Sequence, residues 1–175
     1  MTEYWTTEIK LLILDVDGVM TDGRIIMNDT GHEMKCFHVR DGHGLKLLLS
    51  AGIDVIMISG RKSKSVKYRA KELGIQEIYQ GVKEKGSLCR RLIQRKRLRR
   101  EQVCCMGDDL PDLPMFSQAG ISIAVADASP EVQRAASLVT KNRGGNGAVR
   151  EVCELILKAQ EKRPDVRSTS LDAEE

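Results

Sequence analysis

Leu11-Leu12-Ile13-Leu14-Asp15-Val16-Asp17-Gly18-Val19-Met20-Thr21-Asp22-Gly23 is the stretch whose reading decides the fold. An unbroken apolar run stops at two acids one residue apart, then a glycine, then Thr-Asp-Gly. An apolar run of this length, bounded by a turn signal, reads as a strand buried on both faces. Such strands belong to parallel sheets, where ligands bind just beyond the carboxyl ends. Asp15 and Asp17 are therefore expected in a crevice at that edge. Two carboxylates so close repel unless something positive holds them ionised. Mg2+, a hard cation that takes oxygen ligands and keeps some waters, meets that need. By itself the pattern fits a strand running into an acidic, solvated turn equally well, so the rest of the chain has to decide.

Outward from this stretch, strand and helix patterns alternate at least four times. Residues 24–28 and 32–39 flank Asn-Asp-Thr-Gly and read as a hairpin. Its apolar side chains, Ile25, Ile26, Met27, Met34 and Phe37, need a partner surface, which points to a subunit interface. Asp41-Gly42-His43-Gly44 opens a helix through Ser50. A second buried strand, 53–58, runs into Ser59-Gly60-Arg61, and a helix over 63–73 is closed by Gly74. A short strand at 75–79 precedes Lys83-Glu84-Lys85-Gly86 and a helix over 87–97. The strand 103–106 is capped by Gly107-Asp108-Asp109-Leu110-Pro111-Asp112, with a short helix at 111–117. A fifth strand (121–125), a helix opened by Pro130, a short strand at Leu138-Val139 and a helix over 148–160 complete the series. The alternation predicts a doubly wound α/β fold: a Rossmann-like parallel sheet with helices on both faces, a small hairpin insertion and no large cap domain. Residues 1–160 read as one domain, and the polar, acidic stretch 161–175 as a disordered tail.

Composition narrows the function classes. With 175 residues the chain can bury a full core. Aromatic content of 3 % argues against stacking nucleic-acid bases, and a net charge of +3 implies no polyanionic partner. Five cysteines, with Cys104 and Cys105 adjacent, do not form a disulfide framework, and no CxxC pair suggests zinc. Cys104 and Cys105 are expected to serve as small hydrophobes. No signal peptide and no membrane-length apolar segment is found, so a cytoplasmic location is expected. The run 90–100, rich in Arg and Lys, carries a core-facing stripe of Leu88, Leu92 and Ile93 and is read as a solvated face. Asp22 and Asp127 read as turn formers, and His32, His38 and His43 as structural or surface residues, with His43 nearest the pocket.

The groups that follow the apolar strands share one sheet edge. They are Asp15 and Asp17, then Ser59 with Gly60 and Arg61, then Lys85, then Asp108, Asp109 and Asp112. Acids, a hydroxyl and cations together can hold a phosphoryl group and Mg2+. A carboxylate can attack phosphorus, and a second carboxyl can protonate the leaving alkoxide and later deprotonate water. Ser59 can donate to phosphate oxygens, and Lys85 can pair with nucleophile and phosphate together.

These four groups resemble the four motifs of the haloacid dehalogenase superfamily of phosphatases, in order and in placement, from Ile9 to Gln160. Arg40-Asp41-Gly42, Tyr79-Gln80-Gly81, Val125-Ala126-Asp127-Ala128 and Gly144-Gly145-x-Gly147-Ala148-Val149-Arg150-Glu151 further resemble the family acting on 3-deoxy-D-manno-octulosonate 8-phosphate (Kdo 8-phosphate) in lipopolysaccharide precursor synthesis. The resemblance implies a Mg2+-dependent phosphatase with an aspartyl-phosphate intermediate. Asp15 would be nucleophile and metal ligand, Asp17 acid/base and a ligand through its backbone carbonyl, and Asp108 the third protein ligand. Asp109 and Asp112 would support the metal shell, and Ser59 and Lys85 would hold the phosphoryl group. Gly18 and Gly60 would offer amides, with Arg61 and Arg40 meeting the sugar acid. Relatives of this kind close the site by assembling as homotetramers through the hairpin. The alternatives are a phosphatase for a nine-carbon 2-keto-3-deoxynonulosonate 9-phosphate, or a non-catalytic assembly module like those fused to sugar nucleotidyltransferases. Nine-carbon relatives tend to carry Glu where Arg61 stands. A receiver domain would place an acid after a later strand, but Ser59 follows 53–58.

Overall fold

The computed structural model describes residues 8–160, so the expected tail, 161–175, and the start of the chain lie outside the described residues. β1 (Leu11–Leu14) is the axis of a six-stranded parallel sheet. Its four residues have no exposed surface, as their unbroken apolar character predicts. On one side it pairs with β4 (Asp54–Ser59), which pairs with β5 (Glu77–Gln80). On the other side come β6 (Val103–Gly107), β7 (Ile121–Ala124) and the two-residue edge strand β8 (Leu138–Val139). The order β5-β4-β1-β6-β7-β8 reverses direction at β1, the place where a doubly wound sheet opens a crevice.

Helices cover both faces. α1 (Val39–Ser50) packs on α2 (Lys64–Leu73) and on α6 (Ala148–Ala159). α3 (Lys85–Arg95) packs on α4 (Leu113–Phe116), which also meets α5 (Pro130–Ala135). The core between them is aliphatic, and Cys89, Cys104, Cys105 and Cys153 lie in it as free thiols. No helix among the described residues is long and apolar enough to cross a membrane.

Three local readings are corrected. The hairpin strands are only β2 (Ile26–Met27) and β3 (Glu33–Met34), shorter than the expected 24–28 and 32–39. The Asn28 side chain draws the turn together by accepting from the amides of Thr30 and His32, and beyond Met34 the chain leaves the ladder. Lys35 turns inward there, and Phe37 lies under the Arg69 guanidinium, 5.9 Å from the ring centre. Second, α1 begins at Val39 rather than at the Asp-Gly pair. Gly42 is inside the helix because a side chain there would strike Arg69 and Leu73. Third, α3 begins at Lys85, before the expected Ser87.

Several cations of the basic run have partners in the fold. Arg95 pairs with Glu77, Lys96 with Asp54 (2.7 Å) and Glu77 (2.8 Å), and Arg100 Nε donates to the Ala119 carbonyl at 2.8 Å. Leu88, Leu92 and Ile93 face the core, as their spacing predicts.

Candidate active site

Register explains why side chains distant in sequence meet. Leu14 is level with Met57 of β4 and Met106 of β6. Asp15 lies one step beyond that line, and Ser59 and Asp108 two steps beyond it. The Asp15 amide still donates to the Met106 carbonyl, at 3.1 Å, so the ladder continues up to the first acid.

Asp15, Asp108 and Asp112 converge: each offers a carboxylate oxygen within 4.8 Å of the others'. Lys85, at the first turn of α3 and buried, donates to Asp15 Oδ1 at 2.5 Å and to Asp112 Oδ1 at 2.6 Å. Asp112 spends its other oxygen on the amides of Asp108 (3.0 Å) and Asp109 (3.3 Å). It therefore shapes the loop after β6 and leaves Asp15 and Asp108 to face a ligand. Asp109 is exposed and caps the short turn Leu110–Asp112, accepting from the Leu110 amide at 2.8 Å. The sequence reading places Asp109 in the support of the metal shell; the contact its side chain makes here is this cap.

Electrostatics give the cluster a direction. Burial, and then the Asp15 and Asp112 carboxylates, push Asp108 up to about 8. Burial and the Asp112 charge likewise raise Asp15, to about 7, against the opposing pull of Lys85. Burial disfavours the Lys85 ammonium, yet Asp15 and Asp112 reverse this and move it upward. With all three carboxylates ionised, as a cation would hold them, the one ammonium leaves two negative charges unmatched, the charge of one divalent cation. The donor set is oxygen alone, which suits a hard cation such as Mg2+. The backbone also fits closely around the cluster. Gly18 has φ +101°, and a side chain there would occupy the place of the Asp108 carboxylate.

Asp17 sits at the rim, half-buried. Its Oδ2 accepts the Ser59 hydroxyl at 3.0 Å and its Oδ1 accepts from Lys35. Ser59 Oγ also accepts the Arg61 amide at 3.0 Å, so the turn after β4 is wound around this hydroxyl. Gly60 and Arg61 are exposed beside it, and Arg61 Nη2 donates to Glu33 Oε1 at 3.0 Å. Arg40 is not brought to this cluster. It lines a separate groove of about 790 Å³ with His38, Lys141, Asn142 and Arg150, between α1, β8 and α6. His43 is exposed on α1, and it is His38 that lines that groove.

Two residues escaped the sequence reading. Lys35 is one, although a lone cation between Met34 and Phe37 was a signal, since a buried lysine needs an acid. The other is Asp41, fully buried, which accepts from the amides of Gly147 (3.2 Å) and Arg150 (2.7 Å) and so caps α6 from across the layer. Asp22 does form a turn, accepting from the Arg24 amide at 3.1 Å; Asp127 instead reaches across to the loop before α6, accepting from the Gly144 amide at 2.9 Å and pairing with Arg143 at 3.3 Å.

A family model described as haloacid dehalogenase-like hydrolase matches residues 74–152. The 3-deoxy-D-manno-octulosonate 8-phosphate phosphatase KdsC of Yersinia pestis is 50 % identical over 154 residues, 88 % of this chain and 82 % of the relative. The chain belongs to the KdsC family. KdsC of Escherichia coli K12 is 46 % identical over 93 % of this chain and 87 % of its own length. A solved KdsC-family structure, the phosphatase of Moraxella catarrhalis in complex with magnesium ion, phosphate ion and KDO, superposes with a TM-score of 0.89. It is 44 % identical and covers 92 % of this chain and 94 % of that one. As a KdsC-family member the chain is a phosphoric monoester hydrolase on a haloacid dehalogenase-like fold.

Proposed function

We propose that the chain hydrolyses Kdo 8-phosphate to Kdo and phosphate, with Mg2+, through an aspartyl-phosphate on Asp15. The observation that carries this reading is the buried meeting of Asp15, Asp108, Asp112 and Lys85 at the tips of neighbouring strands. Asp15 and Asp108 would hold Mg2+, together with the backbone carbonyl of Asp17, while Asp112 aligns them. When bound, Mg2+ offsets the charge that keeps an anionic nucleophile from an anionic phosphate.

The work of the chain's own residues follows. Lys85 aims Asp15 and neutralises part of the phosphoryl charge. A carboxylate oxygen of Asp15 bonds to phosphorus as the ester P–O bond breaks, and Asp17 passes its proton to the departing sugar oxygen. Water then attacks the phosphorus of the aspartyl-phosphate and gives a proton to Asp17. The bond to Asp15 breaks, and phosphate leaves. The sequence reading gives Ser59 to the phosphoryl oxygens, but its one proton goes to Asp17 Oδ2, so the amides of Gly18 and Gly60, with Lys85, hold those oxygens. Arg61, exposed at the rim, takes the sugar acid, and this contact is assigned to it in preference to Arg40.

Residues 1–160 act as one catalytic domain without a cap. In its place we assign assembly as a homotetramer through the hairpin, whose Ile25, Met27 and Met34 are 55 %, 60 % and 54 % exposed. The compartment is the cytoplasm. The non-catalytic reading loses ground because Asp15, Asp108, Asp112 and Lys85 are gathered in the cluster and Asp17 stands at its rim. Phosphate release from Kdo 8-phosphate and from a nine-carbon 9-phosphate, with Mg2+ and with Asp15→Asn as blank, tests the substrate. A preference for the nine-carbon ester overturns it, and no release from either ester favours the assembly module. Light scattering of the native chain against Met27→Asp tests the assembly, and an unchanged mass refutes the hairpin contact.

A further inference from the structure

Lys35 is anomalous in its place. Its side chain is only 1 % exposed, yet it follows a hairpin that forms a small sheet of its own. Its ammonium donates to Asp17 Oδ1 and, at 3.1 Å, to Glu33 Oε1. The second oxygen of Asp17 is taken by the Ser59 hydroxyl, and Glu33 also accepts from Arg61. A row of alternating charges, Asp17, Lys35, Glu33, Arg61, thus fastens the hairpin to the tips of β1 and β4.

We propose that Lys35 is a positioning residue for the phosphatase reaction: with Ser59 it grips both oxygens of the Asp17 carboxylate and aims it at the water that opens the phosphoenzyme. This rests on the reading of Asp17 as the proton carrier. A carboxylate held at one oxygen still swings about its terminal torsion, which is broad, whereas a grip on both fixes its plane. In the second half-reaction the water oxygen bonds to phosphorus, the Asp15–phosphorus bond breaks and the water proton goes to Asp17. The attacking water has no sugar to hold it in place, whereas the ester oxygen of the first half-reaction is held by the rest of the substrate, so the second half depends more on how Asp17 is aimed. The bond from an ammonium is charge-assisted and shielded from water, which makes the grip firm.

The test compares wild type with Lys35→Met and Lys35→Gln, with Mg2+ and with Kdo 8-phosphate or p-nitrophenyl phosphate. The ratio kcat/KM reports events up to departure of the alcohol, and kcat also includes opening of the phosphoenzyme. Lys35→Met is expected to lower kcat about 10- to 100-fold, a part of the roughly 10²–10⁴-fold that a positioned acid–base supplies. It should leave kcat/KM within about threefold and produce a stoichiometric burst of p-nitrophenol, because the phosphoenzyme accumulates. In an Asp17→Asn background the same change should cost less than about twofold, since residues acting as a unit are not additive. Equal losses in kcat and kcat/KM without a burst, wild-type kinetics, or full additivity with Asp17→Asn each overturn the proposal. Melting curves decide which variant is read. If Lys35→Met does not fold, Lys35→Gln, which keeps a donor but loses the charge, carries the test and must show a fall in kcat smaller than about tenfold with kcat/KM unchanged; equal losses in both overturn the proposal. A wild-type protein that releases no phosphate refutes the phosphatase reading instead.

Discussion

Lys85 is outnumbered by the acids around it, and this one imbalance sets the behaviour of the site. In chelator-treated protein Asp108 keeps its proton up to about 8, while in the unfolded chain it releases it near 3.8. The unfolded state is therefore favoured progressively as pH rises between those values. Metal-free stability should fall over that window, and Asp108→Asn should flatten the decline in urea titrations run at several pH values. Mg2+ at a hundredfold its dissociation constant should restore about 2.7 kcal/mol, raising Tm by about 5–10 °C for a domain of this size. Asp108→Asn should lose most of that gain, as differential scanning calorimetry would show. Gly18→Ala should reduce turnover by about 100-fold, because the new methyl displaces the Asp108 carboxylate and an ångström of misplacement costs that much. Asp15, Asp17, Ser59, Lys85 and Asp108 were legible in the sequence because each ends a strand or opens the next helix, and parallel topology alone makes such positions neighbours. Lys35 was not. Its partner lies 18 residues back, and the contact depends on where the hairpin folds, which no local pattern states.

The elements show the same division. Strand and helix order can be read from apolar runs broken by glycine, and the structure has the same order from β1 to α6. Glycine reads in sequence as a boundary, which places the starts of α1 and α3 too late. At Gly42 and Gly86 it serves instead to admit a neighbour, the Arg69 side chain and Pro114 respectively. The capping of α6 was also out of reach, since its acceptor, Asp41, stands 106 residues from Gly147. The first residue before α6, Gly147, has no side chain to cap with, so Asp41 does what an Asp at that position would do. Asp41→Ala should cost about 1–3 kcal/mol, the usual penalty for buried donors left unmatched, with an unchanged denaturant m-value. The carboxylate also faces the positive end of α6, so Asp41→Asn should lie between wild type and Asp41→Ala.

Across the whole molecule, charge is spent on holding elements together. The basic stretch reads in sequence as a solvated face, yet Arg95, Lys96 and Arg100 are taken up by β5, the start of β4 and the turn before β7. The chain should give no mobility shift with duplex DNA or RNA at physiological salt, and Arg91→Gln should leave stability within about 0.5 kcal/mol. Asp15 and Asp108 directly follow β1 and β6, hydrogen-bonded neighbours in the middle of the sheet, while Lys35 directly follows the two-stranded ribbon outside it. Amide protons in β1 and β6 should exchange with deuterium only when the entire protein opens, and those of the ribbon far sooner. The enzyme would then keep two clocks. Its cation cradle lasts as long as the fold itself, while its proton-handling arm is reset many times in each native lifetime.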